Sequence, residues 1–195
     1  MKIFKEAKKV GRFSVFYDDE LLSYNDNLDF ELDDNFNSKD YAEKRSIIYY
    51  ITLDGEIVKI GAGQGGLKAT ISFYLNGLSP CNNDRTYCVW RSIREAYQKD
   101  QEVALYVEFL PRQNFDLEFF GEKFSLFTSL NHLDVERKIT DLFYSQNGEY
   151  PIWNKQERGE EWSLEWKMDY LAVKSRHQKI KKRNIGFVLE EEVLI

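Results

Sequence analysis

The sequence predicts an α+β protein with a small central antiparallel sheet, built from a β-hairpin and a further strand and flanked by helices. Two β-branched runs, 47–53 and 56–61, are joined by Asp54-Gly55, which is the strongest short-range hairpin signal. A third apolar run, Val103 to Leu110, is typical of a central strand. Other segments repeat apolar residues at helical spacing, and these predict the flanking helices.

The first 44 residues are interpreted as an N-terminal arm for dimerisation or DNA contact, with a strand over Phe13–Tyr17. Residues 45–157 form the predicted core, and residues 158–195 a C-terminal helix and tail, within one compact domain. A chain of 195 residues is long enough to bury a core of this kind.

The helices are predicted in chain order from their inward-facing residues. The first spans 67–76 and ends before Gly77, and the second spans 86–99. An aromatic hairpin over 115–127 turns at Gly121, a helix follows over 131–146, and an extended piece covers 151–154. A long helix from Trp162 to about residue 183 and a final strand over 185–189 complete the chain.

Several protein classes are disfavoured by composition. No apolar run approaches the about 18 residues of a membrane span. The N-terminus lacks the apolar core of a signal peptide, so a cytoplasmic protein is expected. Cys81 and Cys88 form no metal-ligand framework with His132 and His177, and both are interpreted as reduced thiols.

The charge of the chain is unevenly distributed. A net charge of −6 argues against nucleic acid as a partner. However, residues 18–34 contain eight acidic residues and no basic one, whereas six of the ten residues 174–183 are basic. This run is either a phosphate-binding stripe or a solvated helix end. Its members are Lys174, Arg176, Lys179, Lys181, Lys182 and Arg183.

The helical pattern places the charged residue Glu136 on an apolar face. Leu133, Glu136, Thr140 and Phe143 recur at a spacing that puts them on one helix face. An unpaired carboxylate in an apolar stripe is costly, so Glu136 needs a lysine, an arginine or a metal ion as its partner. The alternative is that Glu136 only favours the positive end of its helix.

The order of several short motifs resembles the GIY-YIG nuclease superfamily, and most closely its compact type II restriction endonucleases. The resemblance covers residues 47–154. It rests on Ile48-Tyr49-Tyr50, Lys59-Ile60-Gly61, Tyr74, Glu136 and Pro151–Asn154.

The resemblance implies hydrolysis of a DNA phosphodiester with one Mg²⁺ or Mn²⁺ ion. Glu136 would hold the metal, and Tyr49 would activate the attacking water. Lys59 would favour the phenolate of Tyr49, and Tyr74 would orient the phosphate. This chemistry requires Tyr49 and Lys59 to face each other, which predicts a three-residue loop Leu53-Asp54-Gly55 with a bulge at Gly55.

One position departs from the family pattern. The family carries an arginine four residues before the helix tyrosine, and here that position is Thr70. A hydroxyl cannot replace a bidentate guanidinium, and the loss of such a group costs about 3 kcal/mol. The candidates for a replacement cation are Lys68, Arg85, Arg91 and Arg94.

Three functions are therefore considered. The first is a Mg²⁺-dependent, site-specific endonuclease that acts on double-stranded DNA as a homodimer, with the basic run on the backbone and the loop 79–87 near the bases. The second is a DNA-binding module of the same fold with an impaired site, which Thr70 favours. The third is a protein-interaction domain whose acidic arm binds a basic partner.

Overall fold

The computed structural model describes residues 7–15, 28–77, 83–119 and 122–176. The predicted α+β class is confirmed: a five-stranded, wholly antiparallel sheet lies between helices. The strands are Lys8–Val15 (β1), Leu28–Leu32 (β2), Ile47–Leu53 (β3), Glu56–Gly63 (β4) and Val103–Phe109 (β5). Arg112–Phe119 (β6) and Glu122–Ser129 (β7) form a separate two-stranded ribbon.

The helices are Ser38–Ala42 (α1), Leu67–Leu75 (α2), Asp84–Tyr97 (α3) and His132–Asn147 (α4), and residues 164–176 are also helical (α5). The strand order is β2-β1-β5-β3-β4, so β5 is central as its sequence predicts and β4 is an edge strand. The predicted tail strand over 185–189 lies outside the described residues.

Each face of the sheet carries its own core. On one face, Tyr49 and Ile51 pack with Ile71 of α2 and Trp90 of α3. On the other face, Ile48, Tyr50 and Ile60 pack against Phe143 of α4. The alternation along β3 follows from the two-residue period of a strand, and both faces are apolar because helices cover both.

The first 44 residues contribute more to the sheet than their interpretation as an arm anticipates. β1 pairs with β5, and β2 pairs with β1. Val10 and Phe13 are buried in the core of the α2–α3 face. This pairing joins segments almost a hundred residues apart, which local sequence patterns do not reveal.

The inward face of α4 differs from the predicted stripe. Thr140 and Phe143 are buried as predicted, but Leu133 is 59% exposed. Val135 and Ile139 contact the core instead. Leu133 was wrongly placed because the buried face of α4 runs through Val135, Ile139 and Phe143, and Leu133 lies on the other side of the helix from Val135.

Candidate active site

The β3–β4 hairpin corrects the predicted loop. Asp54 and Gly55 both have positive φ (48° and 85°), and Leu53 pairs with Glu56, so the turn contains two residues rather than three. The extra residue lies further along β4: Thr52 pairs with Ile57, whereas Ile51 pairs with Lys59, and this leaves Val58 as a bulge. A two-residue turn of this kind matches the twist of the strands.

The bulge places Lys59 on the same sheet face as Tyr49, although not directly opposite it. Lys59 pairs with Ile51, and Tyr49 pairs with Gly61. The shared face that the sequence interpretation requires is therefore present, produced by Val58 and not by Gly55. Without the bulge, Lys59 would pair with Tyr50, and its side chain would lie on the sheet face opposite Tyr49.

Tyr49 and Tyr74 form the buried part of the site. Their hydroxyl oxygens lie 2.7 Å apart in a hydrogen bond, and the side chains are buried between β3 and α2. The ring of Tyr49 lies directly over Gly61, where a Cβ atom would come within 2.3 Å of it. Glycine at 61 is thus what allows the Tyr49 hydroxyl to reach Tyr74.

The pKa of Tyr49 is shifted in the direction opposite to the expected one. Burial raises it above its ordinary value, the hydrogen bond with Tyr74 opposes this, and the negative charge of Glu136 adds to it. Burial, together with Tyr49, also raises the pKa of Tyr74 well above its ordinary value. Both phenols are therefore neutral at neutral pH, and the expected lowering of the Tyr49 pKa by Lys59 is not what the structure shows.

A cleft of about 450 Å³ brings Lys59 and Glu136 together. Lys59 comes from the edge strand β4, and Glu136 comes from the second turn of α4, which packs along the same strand. Arg85, at the start of α3, lines the cleft as well. The opposite wall is formed by residues of the segment 153–162, including Trp153, Asn154, Glu157 and Trp162.

The charges in the cleft shift each other's pKa values. Burial lowers the pKa of Lys59, and the carboxylates of Glu136 and Glu157 oppose that lowering. Burial raises the pKa of Glu136, the Lys59 ammonium lowers it, and Glu157 raises it. The partner that the sequence requires for Glu136 is therefore Lys59.

Asn154 fixes the far wall of the cleft to the edge strand. Its side-chain carbonyl accepts a hydrogen bond from Ile60 N at 2.9 Å, and its Nδ2 donates to Ile60 O at 3.0 Å. Trp153 N donates to the carbonyl oxygen of the bulged Val58 at 2.7 Å. The Asn154 amide thus forms the two hydrogen bonds that a neighbouring strand would form with the backbone of Ile60 on the edge strand.

Sequence reasoning noted Asn154 only within a motif, and it missed Glu157, Trp153 and Trp162 as lining residues. No local sequence signal identifies Asn154, because its buried amide finds both of its backbone partners on Ile60, almost a hundred residues earlier. Nothing in the local pattern around Glu157 points to Lys59 almost a hundred residues earlier.

Among the four candidate replacement cations, only Arg85 lines the cleft. Arg91 pairs with Asp169 and Glu95 and stacks on Trp166, whereas the Arg94 guanidinium lies over Trp90. Lys68 is exposed on α2. Thr70 is buried and donates a hydrogen bond to Gly66 O at 3.0 Å, so it holds the start of α2.

The basic run is only partly described. Lys174 and Arg176 lie in α5, and the Lys174 ammonium lies 5.6 Å from the ring centre of Tyr170. Lys179, Lys181, Lys182 and Arg183 lie outside the described residues, as do residues 79–82 of the loop expected near bases. Asp84 to Tyr87, the other part of that loop, form the first turn of α3.

The cleft offers carboxylate oxygens to a divalent metal ion, but not a complete set of protein ligands. The described residues contain no cluster of three or more histidine, cysteine, aspartate or glutamate side chains around a common point. The cleft is nevertheless lined by five carboxylates, of which Glu160 and Glu161 are paired with lysines and Glu136, Glu157 and Asp84 are the others. Mg²⁺ is commonly held by one or two carboxylates, with water and substrate phosphate as its other ligands.

In the described part of the chain, no helix is both long and apolar enough to cross a membrane.

No family model matches the sequence, and no curated protein matches it. The fold is similar to that of restriction endonuclease HPY188I in complex with product DNA, at 15% identity and a TM-score of 0.47, over 77% of this chain and 81% of that one. A mutant of bacteriophage T4 EndoII is similar at 17% identity and a TM-score of 0.45, over 75% of this chain and 90% of that one. Both likenesses concern the fold alone.

Opposite changes around Glu136 are expected to move its pKa in opposite directions. Lys59→Met removes the ammonium and should raise the pKa of Glu136, whereas Glu157→Gln removes a neighbouring negative charge and should lower it. The measurement is an NMR titration of the Glu136 side-chain carboxyl carbon. Equal titration curves in the two variants would contradict the geometry of the cleft.

Proposed function

We propose that this chain is a Mg²⁺-dependent, site-specific endonuclease that hydrolyses phosphodiester bonds in double-stranded DNA. The observation that supports it is the meeting of Lys59 and Glu136 in one cleft. Behind it, the charge of Glu136 also acts on the buried, hydrogen-bonded pair Tyr49 and Tyr74. These residues come from two strands and two helices, and they are the ones for which the resemblance to GIY-YIG nucleases implies catalytic roles.

In the proposed site, Glu136 holds Mg²⁺, with Glu157 as a second carboxylate within the same cleft. The metal ion would supply positive charge that compensates the charge developing on the phosphate. Arg85 would attract the phosphate to the cleft, which also contains the ion pairs Lys155–Glu160 and Lys167–Glu161. The basic residues Lys174 and Arg176 lie on α5 and would contact the DNA backbone.

We assign the role of proton acceptor to Lys59, because Lys59 lines the cleft and Tyr49 does not. Burial makes Lys59 easier to deprotonate and Tyr49 harder to deprotonate. The oxygen of the attacking water would form a bond to phosphorus while its proton passes to the amine form of Lys59, and the opposite P–O bond would break as the leaving oxygen takes up a proton from solvent. Tyr49 and Tyr74 then keep their protons, and their paired hydroxyls would orient the phosphate.

A second candidate function is supported by Thr70. A DNA-binding module with an impaired site would retain the fold and the basic helix, and the arginine of the family pattern is absent here. This candidate predicts salt-dependent DNA binding without cleavage.

The deciding experiment is plasmid cleavage by the purified full chain in Mg²⁺, repeated in Mn²⁺ and with a chelator. Glu136→Gln should lower the cleavage rate by about 10² or more, because the carboxylate that would hold the metal ion is lost. It should leave DNA binding in place. The control is Asp134→Asn, which changes an exposed carboxylate on the same helix and should cleave like the wild type.

Cleavage by Glu136→Gln at the wild-type rate would contradict the assignment of the site. A wild-type chain that binds DNA but cuts it in neither metal would instead be the binding module. A chain that does not retain DNA at low salt would favour the protein-interaction domain.

Arg85 is expected to replace the missing arginine. Arg85→Ala should lower the turnover number by at least tenfold and leave the affinity for DNA within a few-fold, because one cation among many contributes little to binding. Lys99→Ala, an exposed lysine after the other end of α3, is the matched control and should change neither value. Equal effects of the two substitutions in single-turnover kinetics would exclude Arg85 from the reaction.

A further inference from the structure

The helix α5 is apolar on two sides. Trp166, Tyr170 and Val173 pack against the core of the α2–α3 face. On the other side, Leu164, Met168 and Leu171 are 74%, 58% and 53% exposed. We call these three residues the outer stripe. One apolar side is what a surface helix needs, so the outer stripe requires another explanation.

The spacing of the outer stripe is that of a helix–helix seam. Leu164, Met168 and Leu171 follow each other at four and three residues, as the d, a and d positions of a heptad do. Trp166 and Val173 then both occupy f positions, on the side of the helix opposite the seam. The core contacts and the outer stripe are therefore consistent with a single assignment of heptad positions.

The protein holds α5 firmly, so the outer stripe has a fixed orientation. The guanidinium of Arg91 on α3 pairs with Asp169, lies 3.6 Å from the carboxylate of Glu165 and stacks on the Trp166 ring. Tyr170 is buried against Tyr87. A rigid, preorganised surface loses less conformational entropy on association than a mobile one.

The charges along α5 indicate what covers the outer stripe. The amino-terminal end carries the exposed carboxylates of Glu161 and Glu165, whereas the carboxyl-terminal end of the described helix carries Lys174 and Arg176. Two copies of this helix side by side in the same direction would bring like charges together. Two antiparallel copies place the acidic end of each against the basic end of the other, and their helix dipoles also oppose.

We propose that the outer stripe is a self-association surface, on which a second copy of this chain packs its own α5 in antiparallel orientation about a two-fold axis. Such an interface is isologous, because the same residues contribute from both copies. It offers three exposed apolar side chains per copy, whereas a standard interface has about 20–30 residues a side. The dimer is therefore concentration-dependent, with a dissociation constant on the order of micromolar. The proposal uses none of the proposed catalytic residues. It shares Lys174 and Arg176 with the proposed DNA contact, so its test is made without DNA.

Sedimentation velocity of the full chain, from about 1 to 200 µM, tests the surface because that range brackets a micromolar constant. The wild type should shift from monomer to dimer, and Leu164→Glu and Met168→Glu should each weaken the dimer at least tenfold. Leu133→Glu is the matched control: Leu133 is 59% exposed on α4, away from the outer stripe, and this variant should dimerise like the wild type. At concentrations at which the wild type is monomeric, all variants should melt like it, because the substituted residues are exposed.

A wild type that stays monomeric at every concentration would overturn the proposal, and so would a dimer that Met168→Glu leaves intact. A clear loss of thermal stability in Leu164→Glu or Met168→Glu, with a monomeric wild type, would show that the chain covers the stripe itself. That result would also overturn it.

Cysteine crosslinking tests the orientation. In a Cys81→Ser background, with Cys88 buried, chains carrying Leu164→Cys are mixed with chains carrying Leu171→Cys and oxidised. The antiparallel arrangement predicts a mixed crosslink that neither variant forms efficiently alone. Efficient crosslinking of Leu164→Cys to itself would indicate parallel helices and contradict the assignment.

Discussion

The bulge at Val58 is the constraint on which the site depends. With the Asp54-Gly55 turn fixed at two residues, an extra residue in β4 is what moves Lys59 to the face of Tyr49. The same stretch of backbone holds the far wall of the cleft, since Val58 O accepts from Trp153 N and Ile60 is clamped by Asn154. One local irregularity in an edge strand therefore positions the lysine, the wall and the cleft between them.

Desolvation then acts on the side chains gathered there, and its sign depends on the charge of each. Burial disfavours the phenolate of Tyr49 and the carboxylate of Glu136, and it equally disfavours the ammonium of Lys59. Lys59 and Glu136 offset part of this cost for each other, while the phenols remain neutral. Buried charged groups with shifted pKa values are typical of catalytic sites. The proposed function therefore rests on Lys59 and Glu136.

The sequence predicted the fold class, the central strand Val103–Phe109 and the buried face of α2, because hydrophobic periodicity is local. It could not predict the turn length, since two- and three-residue loops share the Asp-Gly signal, and the bulge is held by Trp153 and Asn154 from far along the chain. It identified Glu136 as a carboxylate in need of a cation. The prediction that the pKa of Tyr49 is lowered was wrong, because burial, and not a neighbouring charge, has the largest effect on that pKa.

The central claim is that DNA phosphate and a divalent ion meet at Glu136, beside Lys59. Electron paramagnetic resonance of Mn²⁺ titrated into the protein, with and without a DNA duplex, tests it most directly. The account predicts weak binding by the protein alone, tighter binding by the wild-type complex with DNA, and loss of that gain in the Glu136→Gln complex, because the phosphate completes the ligand set. Equal Mn²⁺ affinity of the wild-type and Glu136→Gln complexes would contradict it.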